Sequence, residues 1–287
     1  MTRVCVCVVG SVNMDIGLDV AELPRPGETA LATSMRSAPG GKGANQAVAA
    51  ARAGADVRFV GAVGNDATAA QLREHLVDNG VDTDGLITVP GRSGTAVVVV
   101  DSGGENLIVV APEANSRLTL DTTRLPDLLA GCDVVLLQLE IPIAAATDAA
   151  RAARSAGATV MLNASPPGGD DTALAQLSDV IDVLIVNETE AAQWVWPVAH
   201  RVTTLGARGA AYTGDGVEFT VPAPEVDPVD TAGAGDVFAG VLAANWARDR
   251  DRALRRACAA GALATLTAGA GDCAPDADAI EQAAAAG

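Results

Sequence analysis

The sequence predicts an α/β fold in one domain, 1–287: a mainly parallel sheet with helices on both faces, plus a small β-sheet lid. Three observations predict it. Short apolar, β-branched runs alternate with alanine-rich stretches of helical length; the last third of the chain turns to helices; and two segments, 16–38 and 94–110, read as strands without helices.

In chain order, "VCVCVV" is a buried strand that runs into a polar loop, and "DVRFVGAVG" follows the helix-like "ANQAVAAARAGA". "CDVVLLQLE" precedes "AAATDAARAARSAG", and "ATVMLN", "VIDVLIVN" and "RVTTLG" continue the strands. "DVFAGVLAANWA", "DRALRRACAAGALATLTAG" and "DADAIEQAAAA" close the chain as helices. Between them, "GTAVVVVDSGGENLIVVAP" reads as a hairpin closed by Asp-Ser-Gly-Gly-Glu. A solvent-facing flap alternates apolar and polar residues, yet Val97 to Val100 and Leu107 to Val110 are apolar on both faces. Something must cover the second face. The expectation is a lid over a ligand site whose outer face packs on a second copy, making a homodimer. A fully buried sandwich strand is the alternative.

Composition narrows the function classes. A formal charge of −17 with 2% aromatics argues against nucleic acid and anionic membranes as partners, because both call for a basic surface. No apolar run approaches membrane-spanning length, and the first one ends in Gly-Ser, which reads as a strand rather than a signal peptide. The expected location is cytoplasmic. Cys5, Cys7, Cys132, Cys258 and Cys273 have no metal-type spacing and read as reduced, mostly buried thiols; His75 and His200 receive no role. An anionic ligand would then depend on helix N-termini, a metal ion and one or two placed cations. Lys42 is the only lysine among 19 cationic residues.

Ligands of open α/β sheets bind at the carboxyl ends of the strands. There the chain places Asn13, Asp15, Glu140, Asn163, Asn187, Glu190, Thr204 and Gly206. Each alone fits a turn or helix-cap residue; together they fit a polar ligand with many hydroxyls. "GGKGAN" is neither a Walker loop, since Gly43 follows Lys42, nor a G-x-G-x-x-G fingerprint. "DTAGAGDVFAG" is sharper. Gly233 and Gly235 make a turn whose amides at Ala234, Gly235 and Asp236 open a helix, an arrangement that holds anions. Asp236 would repel a phosphate there unless it took a proton from an attacking hydroxyl, which points to phosphoryl transfer to an alcohol.

With "GSVNMD", "PGGKGANQAVAAARAGA", "LLQLEIP", "VNETEA", "TLGARG" and "VDTAGAGDVFAGVLAA" in this order, nearly the whole chain resembles the ribokinase branch of the PfkB sugar-kinase superfamily. The resemblance implies a Rossmann-like, ribokinase-like fold and ATP-dependent phosphorylation of ribose at O5. By the same resemblance Asn13, Asp15, Gly41, Lys42, Asn45 and Glu140 hold sugar hydroxyls, and Asp236 is the base beside an anion hole of Gly233, Ala234 and Gly235. Asn187 and Glu190 match the element that orients phosphates and hydrated Mg²⁺, and Thr204, Leu205, Gly206, Ala207, Arg208 and Gly209 match the nucleotide loop. Asp230, Ala232, Ala264, Thr267, Gly269 and Cys273 fall where a monovalent cation, usually K⁺, is held. Mg²⁺ is independently sensible, because a chain of charge −17 needs a cation to hold triphosphate.

Two departures stand out. Cys273 replaces a common serine, and the 187–204 segment is short enough that the helix before "TLG" is expected to be missing, with Trp194 and Trp196 covering the sheet instead. Alternatives are a kinase of deoxyribose, a hexose or a nucleoside such as adenosine, and a sugar sensor that kept the fold. A dinucleotide oxidoreductase lacks its fingerprint.

Overall fold

The computed structural model describes residues 3–247 and 249–286. Along the chain, β1 (Cys5–Val9), β2 (Asn13–Asp19) and β3 (Ser34–Gly40) precede α1 (Lys42–Arg52), β4 (Asp56–Val63), α2 (Ala67–Asp78) and β5 (Val81–Thr88). The hairpin β6 (Gly94–Val100) and β7 (Asn106–Ala111) comes next, followed by α3 (Leu125–Leu129), β8 (Val134–Gln138), α4 (Ile143–Ser155), β9 (Thr159–Asn163) and α5 (Asp171–Ser178). Then come β10 (Val183–Asn187), α6 (Glu188–Gln193), β11 (His200–Thr204), β12 (Ala210–Gly214), β13 (Val217–Val221), α7 (Ala234–Asn245), α8 (Arg250–Ala264) and α9 (Ala277–Ala286).

Nine strands form the main sheet in the order β13-β12-β11-β10-β9-β8-β1-β4-β5. From β11 to β5 every neighbour is parallel; β12 and β13 add an antiparallel edge. Strands buried on both faces read as unbroken apolar runs, and every residue of β8 is buried. One core lies between the sheet and α1, α2, α7, α8 and α9, the other between the sheet and α3, α4 and α5. The helices α1 and α7 approach closely because Gly240 has no side chain: a Cβ there would run into the Gln46 carbonyl oxygen.

The second sheet has the order β3-β2-β6-β7 and contains both segments expected to form the lid. Its hairpin turn falls at 101–105, as the Asp-Ser-Gly-Gly-Glu stretch predicts. The sandwich alternative fails, because every residue of β7 is exposed. Register puts Ile16, Val97 and Val109 on one face with Leu18, Val99 and Leu107. Asp15, Ala96 and Val110 lie on the opposite face.

The helix expected to be missing before "TLG" is present in shortened form as the six-residue α6. Coil completes the crossover, and Trp194 is buried on the sheet with Trp196 packed edge-on to it, ring centroids 5.1 Å apart. The strand β5 and the hairpin β12–β13 escape the alternation of apolar runs and helices, since Asp and Gly interrupt the first and polar residues the second. Among the described residues no helix is long and apolar enough to cross a membrane.

Candidate active site

The carboxyl end of β1 and the start of α1 meet around Glu140. Gly41, at φ 92°, precedes Lys42, which opens α1 without an acidic residue in the first turn. Glu140 supplies the missing anion from 98 residues away, accepting from the Lys42 backbone N–H at 3.3 Å and from the Ser11 hydroxyl at 2.6 Å. Ser11 Oγ in turn accepts from Gly43 N–H at 3.3 Å. Where β2 of the second sheet begins, the Asn115 amide donates to Asn13 Oδ1 at 2.7 Å, while its oxygen accepts from Val12 N–H at 3.0 Å. A cavity of about 370 Å³ opens here, lined by Asn13, Asn115, Glu140, Pro142 and Val110 of β7.

Asp236 lies deeper, where α1 and α7 touch, and is 7% exposed. Asn45 Nδ2 donates to its Oδ2 at 3.1 Å, and Gln46 Nε2 to its Oδ1 at 3.2 Å. Gln46 Nε2 also reaches Asn163 Oδ1 at 3.1 Å. The Lys42 ammonium is raised above its ordinary value, first by attraction to Asp236, against burial, and then by Glu140 and Glu190. Asp15 is pushed up to about 7 by burial and by the charges of Glu140 and Asp236. Two buried acceptors, Asp15 Oδ1 and Asn45 Oδ1, have no protein donor. A ligand rich in hydroxyl donors satisfies such atoms.

Gly233 caps α7 in the left-handed conformation, φ 78°, which glycine adopts without cost. Val237 N–H donates to Gly233 O at 2.9 Å and starts the helical ladder, so the Gly235 and Asp236 N–H groups lie ahead of it. Beside this turn is a cavity of about 870 Å³ lined by Thr204, Gly206, Ala207, Gly209, Ala234 and Gly235, and closed by 223–228 and by Phe238, Cys258, Gly261, Ala262 and Thr265. Leu205 and Arg208 belong to the same loop but do not line the cavity. Arg208 pairs with Glu188 at 2.6 Å instead, because the short 3-10 turn directs it outward.

Asn187 and Glu190 cap α6 reciprocally: Asn187 Oδ1 accepts from Glu190 N–H at 2.8 Å, and Asn187 N–H donates to Glu190 Oε2 at 2.8 Å. Asp230 braces a second loop, accepting from Ala232 N–H at 2.9 Å and Gly269 N–H at 2.8 Å. The Cys273 thiol donates to Ala270 O at 3.3 Å and lies 3.9 Å from Ala232 O; burial, then the Asp236 charge, push it up to about 11. Ala264 ends α8 and Thr267 lies in the turn that follows it, its N–H donating to Ala264 O at 3.2 Å.

Asn13, Asp15, Gly41, Lys42, Asn45, Glu140 and Asp236 therefore converge, as their strand-end and helix-start positions predict. Ser11, Gln46 and Asn115 join them unannounced. Gln46 stood inside the quoted motif, but on an alanine-rich helix it reads as one more surface amide, and only the α1–α7 packing turns it inward.

A family model for pfkB family carbohydrate kinases matches residues 5–277. The chain is 36% identical to the ribokinase of Bacillus subtilis (strain 168) over 294 residues, covering 96% of this chain and 98% of that protein. Among solved structures, Arabidopsis thaliana ribokinase, complexed with ribose and ATP, superposes with a TM-score of 0.86 at 32% identity over 99% of both chains. Ribokinase from Thermotoga maritima superposes with a TM-score of 0.87 at 30% identity, covering 98% of this chain and 99% of that one.

The electrostatics of Asp15 give a pH signature. Its raised pKa means that the folded chain keeps a proton which the unfolded chain releases, so stability falls as pH rises from about 4 to about 7. Asp15→Asn removes the ionisation. Its urea midpoint exceeds the parent's at pH 8, and the difference closes near pH 4.

Proposed function

The chain belongs to the pfkB family of carbohydrate kinases, and we propose on that premise that it transfers the γ-phosphoryl group of ATP to O5 of D-ribose. The observation that carries this reading is the buried Asp236 carboxylate, held by Asn45 and Gln46 in the same first helical turn as the free Gly235 and Asp236 N–H groups, with unpartnered carboxylate and amide oxygens at Asp15 and Asn45 nearby. Ribose lies between Asn13, Asp15, Gly41, Lys42, Asn45 and Glu140. Lys42 donates to its hydroxyls and offsets part of the charge that three carboxylates concentrate there. Asp236 accepts the O5 proton as O5 attacks the γ-phosphorus; the bond to the β,γ-bridging oxygen breaks and ADP leaves. The N–H groups of Gly235 and Asp236 hold the charge spread over the transferring oxygens, while Ala234, whose N–H donates to Thr231 O at 3.4 Å, shapes the turn that presents them.

ATP occupies the larger cavity, its base side against 223–228 and α8 and its phosphates toward Gly235. Mg²⁺, when bound with ATP, neutralises phosphate charge. Glu190 fits as its acidic neighbour, since it is close enough to raise Lys42, and Asn187 orients Glu190 through the shared cap. For a monovalent cation, K⁺, the loop of Asp230, Ala232, Gly269 and Cys273 together with Ala264 at the end of α8 and Thr267 in the turn after it offers carbonyl oxygens around a braced carboxylate. The donor chemistry fits a hard, weakly charged ion, with Cys273 the weakest member.

The four-stranded sheet acts as a lid, its Asp15 face toward the sugar. Its outer row of Ile16, Val97, Val109, Leu18, Val99 and Leu107 packs on the same row of a second copy. Val109 is 58% exposed in the single chain, which favours that reading.

Incubation with ATP, Mg²⁺ and ribose yields ribose 5-phosphate by ³¹P NMR, faster than deoxyribose, hexoses or adenosine are phosphorylated. Preference for one of those compounds would overturn the substrate assignment. Asp236→Asn lowers kcat by about 10²- to 10⁴-fold while sugar binding persists in calorimetry. Light scattering at micromolar concentration gives the mass of two chains for the parent and of one for Val109→Asp.

A further inference from the structure

At the opposite end of the sheet from the site is a cluster of thiols with no part in phosphoryl transfer. Cys5 opens β1, and Cys132 stands just before β8, the strand paired with β1. The Cys5 and Cys132 sulfurs lie 3.3 Å apart. The two residues are braced across the strand ends, with Cys5 N–H donating to Asp133 Oδ2 at 2.8 Å and Asp133 N–H to Cys5 O at 2.9 Å. Arg58 adds a cation, its Nη1 reaching Cys132 Sγ at 3.6 Å while donating to the Leu128 and Ala130 carbonyls at 2.9 and 2.8 Å. Cys5 is partly open to solvent, whereas Cys7 and Cys132 are buried.

We propose that Cys5 and Cys132 form a reversible redox site, in which hydrogen peroxide converts the thiol pair to a disulfide that staples β1 to β8. A disulfide needs about 2.05 Å between sulfurs, so roughly 1 Å of approach closes it, within the reach of side-chain rotation. Cys5, the accessible sulfur, attacks a peroxide oxygen; the O–O bond breaks, water leaves with the thiol proton, and Cys5 becomes a sulfenic acid. The Cys132 sulfur, 3.6 Å from the Arg58 guanidinium, then gives up its proton and attacks the Cys5 sulfur. The S–O bond breaks, a second water leaves, and the S–S bond forms. Two thiols supply two electrons, and the peroxide becomes two waters.

The staple bears on the candidate active site through the strands themselves. The carboxyl ends of β1 and β8 lead to Ser11 and Glu140, joined at 2.6 Å, so oxidation would fix at one end the pair of strands that the active site joins at the other. It also closes a loop between residues 127 apart in sequence, a span for which loop-closure entropy is large. Burial and thiol contacts push the pair up: Cys5 by its bond to Cys132 and by burial, while Cys132, lowered by that bond, is raised to about 11 by Cys7 and burial. Such thiols react slowly, which suits a response to sustained oxidant.

The test treats the reduced full-length protein with hydrogen peroxide and maps peptides by non-reducing mass spectrometry. Expected are a Cys5–Cys132 linked peptide, a rise in unfolding temperature of about 5–10 °C that dithiothreitol reverses, and loss of both effects in Cys5→Ser and in Cys132→Ser. Cys258→Ser retains them. A Cys7–Cys132 link, oxidation of single thiols without a link, or unmodified Cys5 under conditions that oxidise a free model thiol would each overturn the proposal. Because the readouts are a peptide and a melting temperature, failure here is distinguishable from failure of the kinase assignment.

Discussion

The contact that the rest of the site depends on is the pair of amides that α1 extends to a carboxylate on α7. Asn45 and Gln46 each donate to one oxygen of Asp236, and that side chain is buried in the first turn of its helix. A buried carboxylate is costly unless hydrogen-bonded, and here two amides and the start of a helix meet it. They also fix its direction. Both amides depend on how closely the helices pack, which the absent side chain at Gly240 permits. Fold and chemistry meet in that one glycine.

Around this contact carboxylates outnumber cations. Asp15, Glu140, Asp236 and Glu190 crowd one region, and the sole lysine of the chain stands among them. Asp15 has no compensating partner and holds its proton until about pH 7. A neutral polyol suits such a place: it brings donors for unpartnered oxygens and no charge to repel. A slim ammonium at residue 42 fits where a guanidinium, larger and with a fixed planar fork, would compete with the ligand for space.

Much of this was legible in the sequence, and the physical reasons are specific. The strand-end residues Asn13, Asp15 and Glu140 and the turn 233–236 are local signals: a residue after an apolar run, or glycines before a helix, announce themselves. Ser11, Gln46 and Asn115 act through partners across the fold, such as Gln46 on an Asp 190 residues away, and no spacing reveals that. The larger cavity is legible only in part for the same reason, because Thr204 to Gly209 follow a strand whereas 223–228 and the end of α8 reach it only by packing. The lid strands were legible from apolar residues on both faces, and the shortened α6 was missed because six residues carry too little periodicity to register.

The central claim, that Gln46 acts by holding Asp236 rather than by general packing, is tested most directly by a double-mutant cycle on kcat with ribose and ATP. The account predicts that Gln46→Leu lowers kcat at least about 10-fold in the parent and has no further effect once Asp236 is Asn, because residues that act as one unit are not additive. Equal proportional losses in the two backgrounds would show that Gln46 works independently of Asp236 and would contradict the account.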